Sequence, residues 1–330
     1  MEKRKIVHLI NYAGNGGSEK YIQTLGGDFL IYNIKGPLTN YFKSMQMEMR
    51  SAIDFKAAKK LAKFCKKHNI GVVHTHFARE QYIAVLSKLF GNTAKIIYTS
   101  HINLENNLVK KATNLLITRK TDAVIAVCNS VKTLLIKNGY PRNKIKVIYN
   151  GTESINIDLN VQRTNIVTLA RLSEEKGLFF LCDIARKMPN HNFIIAGEGP
   201  LKDSLLNYAT KNVSLVGHVN AEDVLKNAAL YINSSTSEAL SFGVLEAMSY
   251  KTPVVLTNVG GNVDIIKESG AGLLITYGDV EEAVKKINKV LANREVYAKK
   301  ALKATEAVFS LENMKKQTYF IYGTSPRLKS

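Results

Sequence analysis

The chain has 330 residues and a formal net charge of +19, with 45% hydrophobic and 22% charged residues. This length favours two domains, and the composition is typical of a globular protein rather than a disordered one. No apolar stretch reaches the roughly 20 residues that span a bilayer, and Cys65, Cys128 and Cys182 fit neither a metal spacing nor a disulfide framework, which favours a cytoplasmic setting.

Short apolar, β-branched runs alternate with longer amphipathic runs along the whole chain. In chain order the predicted strands are Ile6–Tyr12, Phe29–Ile34, Gly71–Thr75, Lys95–Thr99, Asp122–Cys128, Ile145–Tyr149, Ile166–Ala170, Asn192–Ala196, Val213–Val216, Leu230–Asn233, Pro253–Leu256 and Gly272–Ile275. The predicted helices between them include Asp54–His68, Ser130–Asn138, Leu201–Thr210 and Phe242–Tyr250, and residues 294–322 are predicted to be helical. Apolar strands separated by helices indicate an α/β protein with parallel sheets covered on both faces.

The polar segment Gly151–Thr164 has no clear periodicity and predicts a domain boundary. We expect an N-terminal domain over residues 1–155, a C-terminal domain over residues 156–305, and a helical segment over residues 306–330 that packs back toward the first domain. Both domains are expected to be doubly wound and Rossmann-like, and to face each other across a cleft. Ligands in such sheets bind at the carboxyl ends of the strands, so the loops that follow the strands are the candidate sites.

The positive charge is concentrated in the first domain. Residues 1–155 contain 25 Lys and Arg against 9 Asp and Glu, a net charge of +16, while residues 156–330 contain 21 against 18. This asymmetry predicts a negatively charged partner for the first domain, which could be anionic lipid, a phosphorylated acceptor or nucleic acid. No segment resembles a nucleic-acid-binding module, and the aromatic residues are not interleaved with the basic ones, so nucleic acid is not expected as the partner.

The helix predicted over Asp54–His68 carries six lysines and no acidic residue after Asp54. Its apolar face is expected to hold Phe55, Ala58, Leu61, Ala62 and Cys65. A basic amphipathic helix of this kind favours docking to an anionic membrane surface. A second basic group is expected to share that surface, and consists of Lys110, Lys111, Arg119 and Lys120.

A glycine-rich turn follows the first strand and contains Gly14, Gly16 and Gly17. Glycines between a strand and a helix let the backbone approach a phosphate. The third position of the dinucleotide fingerprint is Glu19 rather than glycine, and no acidic residue ends the second strand to hold a ribose. Judged alone, this segment fits a phosphate site and an ordinary tight turn about equally well, with Glu19 stabilising the helix N-terminus.

The second domain carries more specific signals. Arg171 and Lys176 flank the loop after its first strand and could hold a diphosphate from two sides. Glu238 lies in a later loop, and Glu246 lies eight positions on, in the following helix. As an isolated pair these carboxylates would fit a helix cap and a solvated helix residue.

Together, these residues resemble the E-x7-E signature of the retaining, two-domain glycosyltransferases of family 4, which have the GT-B fold and include bacterial surface polysaccharide and glycolipid enzymes. The resemblance covers nearly the whole chain. Its further motifs are Gly16-Gly17-Ser18-Glu19, His74-Thr75-His76, His101 after a strand, Asn150-Gly151 and Val259-Gly260-Gly261.

The resemblance implies roles for individual residues. Arg171 and Lys176 would neutralise the donor diphosphate, Glu238 would bind the transferred sugar, and Glu246 would hold the ribose. His101 would reach the sugar from the first domain. The remaining donor-binding positions are Gly16 and Gly17 near the phosphates, Gly217, His218 and Val219 beside the base, and the backbone amides of Leu240, Ser241, Phe242 and Gly243 at the leaving phosphate.

The sequence contains no D-x-D triplet, which agrees with a metal-independent enzyme that needs no cofactor. His74 and His76 are expected to point to opposite faces of a strand and therefore not to bind one metal ion together. His101 fits a capping or loop histidine about as well as a sugar-binding one.

The sequence thus predicts a retaining hexosyltransferase that moves a sugar from a nucleotide diphosphate sugar, most commonly a UDP-sugar, to a lipid-linked or polysaccharide acceptor in cell-surface glycan synthesis. We expect it to be cytoplasmic and peripheral on the inner face of the cell membrane. Two alternatives are a non-hydrolysing nucleotide-sugar epimerase and, from a different class, a basic nucleic-acid-binding protein.

Overall fold

The computed structural model describes residues 4–101, 108–155 and 163–325. These residues form two compact units, one from residues 1–149 and 314–330 and the other from residues 150–313. The predicted boundary Gly151–Thr164 lies partly outside the described residues, because 156–162 are not among them.

The first unit contains a seven-stranded sheet. Its strands are β1 (Lys5–Tyr12), β2 (Phe29–Ile34), β3 (Lys43–Gln46), β4 (Ile70–Thr75), β5 (Lys95–Ser100), β6 (Ala123–Ala126) and β7 (Ile145–Val147). Their order is β3-β2-β1-β4-β5-β6-β7, and every pairing is parallel. The helices of this part of the chain are α1 (Gly17–Leu25), α2 (Phe55–His68), α3 (Ala78–Ser87), α4 (Leu108–Lys120) and α5 (Asn129–Lys137).

The second unit contains a six-stranded parallel sheet. Its strands are β8 (Asn165–Leu169), β9 (Phe193–Ala196), β10 (Val213–Gly217), β11 (Ala228–Asn233), β12 (Val254–Thr257) and β13 (Gly272–Ile275), in the order β10-β9-β8-β11-β12-β13. The helices are α6 (Leu178–Lys187), α7 (Lys202–Tyr208), α8 (Ala221–Leu225), α9 (Phe242–Ser249), α10 (Gly260–Ser269), α11 (Val280–Ala292) and α12 (Arg294–Ala307).

Both sheets follow the doubly wound pattern, in which the strand order reverses beside the first strand. The reversal lies between β1 and β4 in the first unit and between β8 and β11 in the second. The central strands are buried on both faces, and all six residues of β11 are buried. The predicted α/β class with two Rossmann-like sheets is therefore confirmed, and the two reversal points mark where a ligand site is expected.

All the predicted strands are present, with small differences at their ends, and the structure adds β3. This four-residue edge strand has three exposed side chains and one half-buried side chain, so its sequence lacks the apolar run that marks the other strands. The predicted helix over 294–322 is interrupted: α12 ends at Ala307, and α13 spans Leu311–Tyr322. The break occurs because Thr152 bonds the backbone on both sides of Ser310, at Phe309 and Leu311.

Helix α2 buries a stripe of small and apolar residues and exposes all six of its lysines. Asp54 caps its first turn by accepting a hydrogen bond from the backbone of Ala57 at 2.9 Å. Phe55, which was expected on the apolar face, is instead 54% exposed, because it is the first residue of the helix and lies outside the buried stripe. None of the helices within the described residues is long and apolar enough to cross a membrane.

Candidate active site

The strand order of the second unit brings two predicted loops together. Strands β8 and β11 are hydrogen-bonded neighbours, and the loops that follow them run from their carboxyl ends. The first loop holds Arg171 and Lys176, and the second holds Glu238. Lys176 and Glu238 are 62 positions apart in sequence, and the pairing of β8 with β11 makes them neighbours.

Lys176 and Glu238 form an ion pair with 2.8 Å between Nζ and Oε2. Their side chains are 21% and 12% exposed, so the pair is largely withdrawn from water. The same carboxylate oxygen accepts hydrogen bonds from Ser235 Oγ at 3.1 Å and Asn233 Nδ2 at 3.4 Å. Glu238 is therefore held in one position by one charged and two neutral donors.

The backbones around this pair approach each other too closely for side chains at two positions. Gly177 has a φ of +60°, and a Cβ there would lie 2.1 Å from the carbonyl oxygen of Ser234. Gly260 has a φ of +47°, and a Cβ there would lie 1.7 Å from the carbonyl oxygen of Glu238. These contacts explain why glycine follows Lys176 and why Val259-Gly260-Gly261 accompanies Glu238: the glycines let neighbouring backbone fix the ion pair.

A buried polar layer that was not predicted from the sequence supports the pair. Asn262 Nδ2 donates to Asn233 Oδ1 and to the Thr257 carbonyl, each at 3.1 Å, and Thr257 Oγ1 donates to the Ser235 carbonyl at 2.6 Å. All of these polar side chains are buried. The available signal was the polar residue that ends each of the apolar strands β11 and β12.

The start of α9 lies in the same loop region. Ser241 is its N-terminal capping position, Phe242 and Gly243 begin the helix, and the carbonyl of Leu240 accepts a hydrogen bond from Asn150 Nδ2 at 2.9 Å. Asn150 is 3% exposed, which gives the Asn150-Gly151 motif a role in fixing this loop. Glu246 lies within α9 and is half-buried.

The other donor-binding candidates of this unit lie along the same edge. Arg171 is exposed, and it forms no ion pair with a residue that the structure describes. Gly217 ends β10, and exposed His218 and half-buried Val219 follow it. Backbone bonds from Gly197 to Gly217 and from Leu172 to Glu198 join the loops after β8, β9 and β10.

In the first unit, Gly16 and Gly17 lie at the start of α1, beside the reversal point of the sheet. The backbone N–H of Gly16 donates to Glu19 Oε2 at 3.1 Å, and Ser18 Oγ donates to the same oxygen at 2.8 Å. Glu19 thus closes the N-terminus of its own helix, as the sequence had allowed.

Four histidines cluster near the same edge of the first sheet: His8, His74, His76 and His101. The expectation that His74 and His76 point to opposite faces is wrong, because their ring centroids are 4.4 Å apart. Side chains alternate with a period of two along a strand, so residues two apart share a face. Burial lowers the pKa of His8 to about 4 and of His101 to about 3, and holds the pKa values of His74 and His76 well below the ordinary value.

Within the described residues, nitrogen atoms of His8, His74 and His76 lie within 4.8 Å of one another, a spacing that could admit a metal ion. Hydrogen bonds already use every ring nitrogen of these three side chains. His74 bonds Tyr322 and Thr99, while His8 and His76 bond each other and the partners described below. The packing of the cluster is therefore explained without an ion.

Family models match most of the chain. Residues 13–154 match the model described as Glycosyltransferase Family 4, and residues 152–307 match the model described as Glycosyl transferases group 1. The two matches meet near the start of the second unit and together extend from the first glycine turn to the end of α12.

Curated relatives and solved structures agree with these matches. The chain is 25% identical over 305 residues to the Escherichia coli UDP-Gal:alpha-D-GlcNAc-diphosphoundecaprenol alpha-1,3-galactosyltransferase, covering 79% of each chain. It is 27% identical over 301 residues to the capsular polysaccharide biosynthesis glycosyltransferase CapH of Staphylococcus aureus, covering 79% of this chain and 83% of CapH.

The crystal structure of Anabaena HepE in complex with UDP superposes with a TM-score of 0.83 at 18% identity, covering 97% of this chain and 99% of HepE. This likeness concerns the fold, and it agrees with the two parallel sheets described above. On its fold and on both family models, the chain belongs to the family 4 glycosyltransferases with the GT-B fold.

Proposed function

We propose that this protein is a retaining, metal-independent hexosyltransferase that uses a UDP-sugar and builds a cell-surface glycan on a lipid-linked or polysaccharide acceptor. The observation that carries the proposal is the Lys176–Glu238 pair at the strand-order reversal of the second sheet. It places a cation and a hydrogen-bonding carboxylate side by side in the part of the fold where nucleotides bind.

The relatives support the choice of donor and acceptor. The E. coli relative is named for UDP-Gal and for a diphosphoundecaprenol-linked acceptor, and the S. aureus relative for capsular polysaccharide. HepE has been crystallised with UDP and with UDP-glucose. These names favour a UDP-sugar donor and a lipid-linked or polysaccharide acceptor.

The chemistry of the step requires stabilisation of a leaving diphosphate. As the anomeric C–O bond breaks, negative charge grows on the diphosphate and positive charge grows on the sugar. Arg171, Lys176 and the backbone amides of residues 240–243 supply positive charge and helix-dipole donors before the reaction begins, which is the arrangement that lowers such a barrier most directly. Glu238 binds the sugar hydroxyls, and Glu246 holds the ribose.

Retention of anomeric configuration follows if the acceptor attacks from the face that the diphosphate leaves. The leaving phosphate then takes the acceptor proton, so no separate base is needed. In the remaining roles, Gly217, His218 and Val219 border the base, Gly16 and Gly17 approach the phosphates, and His101 contacts the sugar.

The first unit is proposed to dock on anionic membrane through α2. Its six exposed lysines adjoin Ile53 and Phe55, which are 65% and 54% exposed, so that basic and apolar groups are presented together. Each basic residue near an anionic surface contributes about 1 kcal/mol. Of the second basic group, Lys110 has a side chain that lies outside the described residues.

Ligand-dependent unfolding tests the donor. We expect UDP, but not GDP, ADP, NAD or a DNA duplex, to raise the unfolding temperature by several degrees, since ligand at about 100 times Kd adds roughly 2.7 kcal/mol. The shift should vanish in Arg171→Ala and persist in Lys187→Ala, a control that removes an exposed ion pair of the same unit. A shift from NAD or DNA alone would refute the proposal.

Product analysis separates transfer from epimerisation. Transfer releases UDP and preserves the anomeric configuration of the sugar, whereas an epimerase leaves the nucleotide attached. Incubation with a UDP-sugar and a lipid diphosphate acceptor, followed by NMR of the product, distinguishes these outcomes.

Vesicle sedimentation tests the membrane proposal. Replacing Lys59, Lys60 and Lys63 with Gln should reduce binding to anionic vesicles, while the same change at Lys299, Lys300 and Lys303 of α12 should not. Equal sedimentation of the unmodified protein with neutral and anionic vesicles would contradict it.

A further inference from the structure

Three of the four clustered histidines form a continuous hydrogen-bonded series. His8 Nε2 lies 2.9 Å from the carbonyl oxygen of Gly26, and His8 Nδ1 lies 3.0 Å from His76 Nε2. His76 Nδ1 in turn lies 3.1 Å from His101 Nε2. The series therefore connects the backbone carbonyl of half-buried Gly26 to the partly exposed His101 at the carboxyl edge of the sheet.

The carbonyl at one end determines the position of every proton in the series. A carbonyl oxygen only accepts, so His8 Nε2 must carry the proton that it donates to Gly26. His8 is neutral at physiological pH because burial lowers its pKa to about 4, so its Nδ1 is unprotonated and must accept from His76 Nε2. The same reasoning applied to neutral His76 makes His101 Nε2 the donor to His76 Nδ1.

We propose that His8 and His76 are positioning residues that hold His101 in its Nε2–H tautomer, so that its Nδ1 accepts a hydrogen bond from a hydroxyl of the transferred sugar. The inference rests on the proposed transferase function for its ligand and on the hydrogen-bond series for the tautomer. No residue that the structure describes bonds to His101 Nδ1. The site thus selects a sugar with a hydroxyl donor at that position and disfavours one with an ether or no substituent there.

The surroundings fix the geometry of the series. A Cβ at Gly27 would lie 2.8 Å from His8 Cδ2, so glycine at that position leaves room for the ring beside the carbonyl of Gly26. Tyr21 packs edge-on against His101, with ring centroids 4.8 Å apart. The rings of His76 and His101 are nearly parallel, with an angle of 21° between their planes and centroids 5.3 Å apart, as a hydrogen bond between two ring edges requires.

His74 is the matched control. It lies two residues from His76 on the same strand and is equally buried, but it bonds Thr99 and Tyr322 and takes no part in the series. Replacement of His74 should therefore perturb packing as replacement of His76 does, without altering the tautomer of His101.

Nitrogen-15 NMR of histidine-labelled protein reads the tautomers directly and requires no ligand. In the unmodified protein at neutral pH, we expect His8, His76 and His101 all to carry the proton on Nε2 and none on Nδ1. His76→Phe should give a mixture of tautomers at His101, His74→Phe should not, and His76→Asn should restore the preference because its Oδ1 can accept from His101. Protonated Nδ1 or mixed tautomers at His101 in the unmodified protein would overturn the proposal.

Two further measurements distinguish a positioning role of His76 from a role in packing alone and from a metal site. Affinity for UDP should be equal in His76→Phe and His74→Phe, whereas affinity for the UDP-sugar should fall about tenfold only in His76→Phe, the loss of roughly one hydrogen bond. Equal effects on the UDP-sugar would refute the positioning role. Binding of equimolar Zn²⁺ that changes the nitrogen-15 chemical shifts of His8, His74 and His76 would replace it with a metal site. Failure of UDP to bind would refute the proposed function. The NMR experiment would still show whether His8 and His76 hold the tautomer of His101.

Discussion

Replacing the two members of the Lys176–Glu238 ion pair should change the affinity for UDP in opposite ways. The carboxylate contacts the ammonium at 2.8 Å, and the same ammonium is proposed to bind the donor diphosphate. Carboxylate and diphosphate therefore compete for the same cation. Removing Lys176 should weaken UDP binding, whereas removing the charge of Glu238 should leave UDP affinity unchanged or raise it.

The magnitudes follow from the surroundings of the pair. A charge-assisted hydrogen bond contributes about 1.5–3 kcal/mol, so Lys176→Ala should weaken UDP binding by about 10- to 150-fold. With the side chains 21% and 12% exposed, loss of the pair should cost about 1–2 kcal/mol of stability, between the values for exposed and fully buried pairs. That corresponds to a fall of about 2–8 °C in unfolding temperature.

Glu238→Gln keeps the shape of the side chain and the bonds to its neutral partners. It should cost a similar amount of stability but retain UDP affinity, while turnover falls about tenfold or more because the sugar loses a charged hydrogen-bond acceptor. Isothermal titration with UDP, thermal unfolding and a UDP-release assay measure the three quantities. Lys187→Ala, which breaks an exposed ion pair, should change none of them appreciably. An equal loss of UDP affinity in Lys176→Ala and Glu238→Gln would show that the pair acts only as a structural unit.

Two predictions concern stability. Glu80 is fully buried, neither of its carboxylate oxygens has a hydrogen-bond partner among the described residues, and burial raises its pKa from 4.5 to about 7. The folded state thus binds more protons than the unfolded state between these values, and stability should fall as pH rises through them. Glu80→Gln should therefore stabilise the protein by about 1–3 kcal/mol near pH 8 but not near pH 4 in urea titrations, with exposed Glu268→Gln as control; equal effects at both pH values would contradict this. Lys251 has a φ of +54°, so Lys251→Gly should raise stability by about 1 kcal/mol. Asn69→Gly, at a φ of +53°, should raise stability less, because asparagine tolerates this conformation. A loss of stability in Lys251→Gly would show that the side-chain contacts of Lys251 outweigh the backbone strain.

The strands were predictable because most of them are buried on both faces and therefore read as continuous apolar runs. β11 is the clearest example: all six of its residues are buried, and five of the six are apolar. β3 shows the limit, since an edge strand with exposed side chains is specified by pairing with β2 rather than by its own residues. Phe55 shows a second limit: helical periodicity places a residue on a face but does not decide whether the first turn reaches the core.

The site could be predicted only in part. Lys176 and Glu238 were found by their resemblance to a family motif, because nothing in their spacing indicates a contact between them. The histidine series required the register that sets His8 beside His74, together with the shared face of His74 and His76. Strand register depends on the whole sheet, so no local pattern revealed that His8 belongs to the cluster.

The electrostatics of the two units point to a division of roles. In the second unit, the strand-order reversal presents charged groups, Lys176 and Glu238, in a largely water-excluded setting. In the first unit, the equivalent edge presents histidines whose lowered pKa values keep them neutral, while the excess lysines of α2 lie exposed on the helix surface. A neutral imidazole carries no positive charge that would attract a phosphate, and its unprotonated nitrogen can still accept a hydrogen bond from a hydroxyl. Docking of α2 on an anionic membrane is the use proposed above for this charge, and on that proposal neutralising the α2 lysines should leave UDP affinity unchanged.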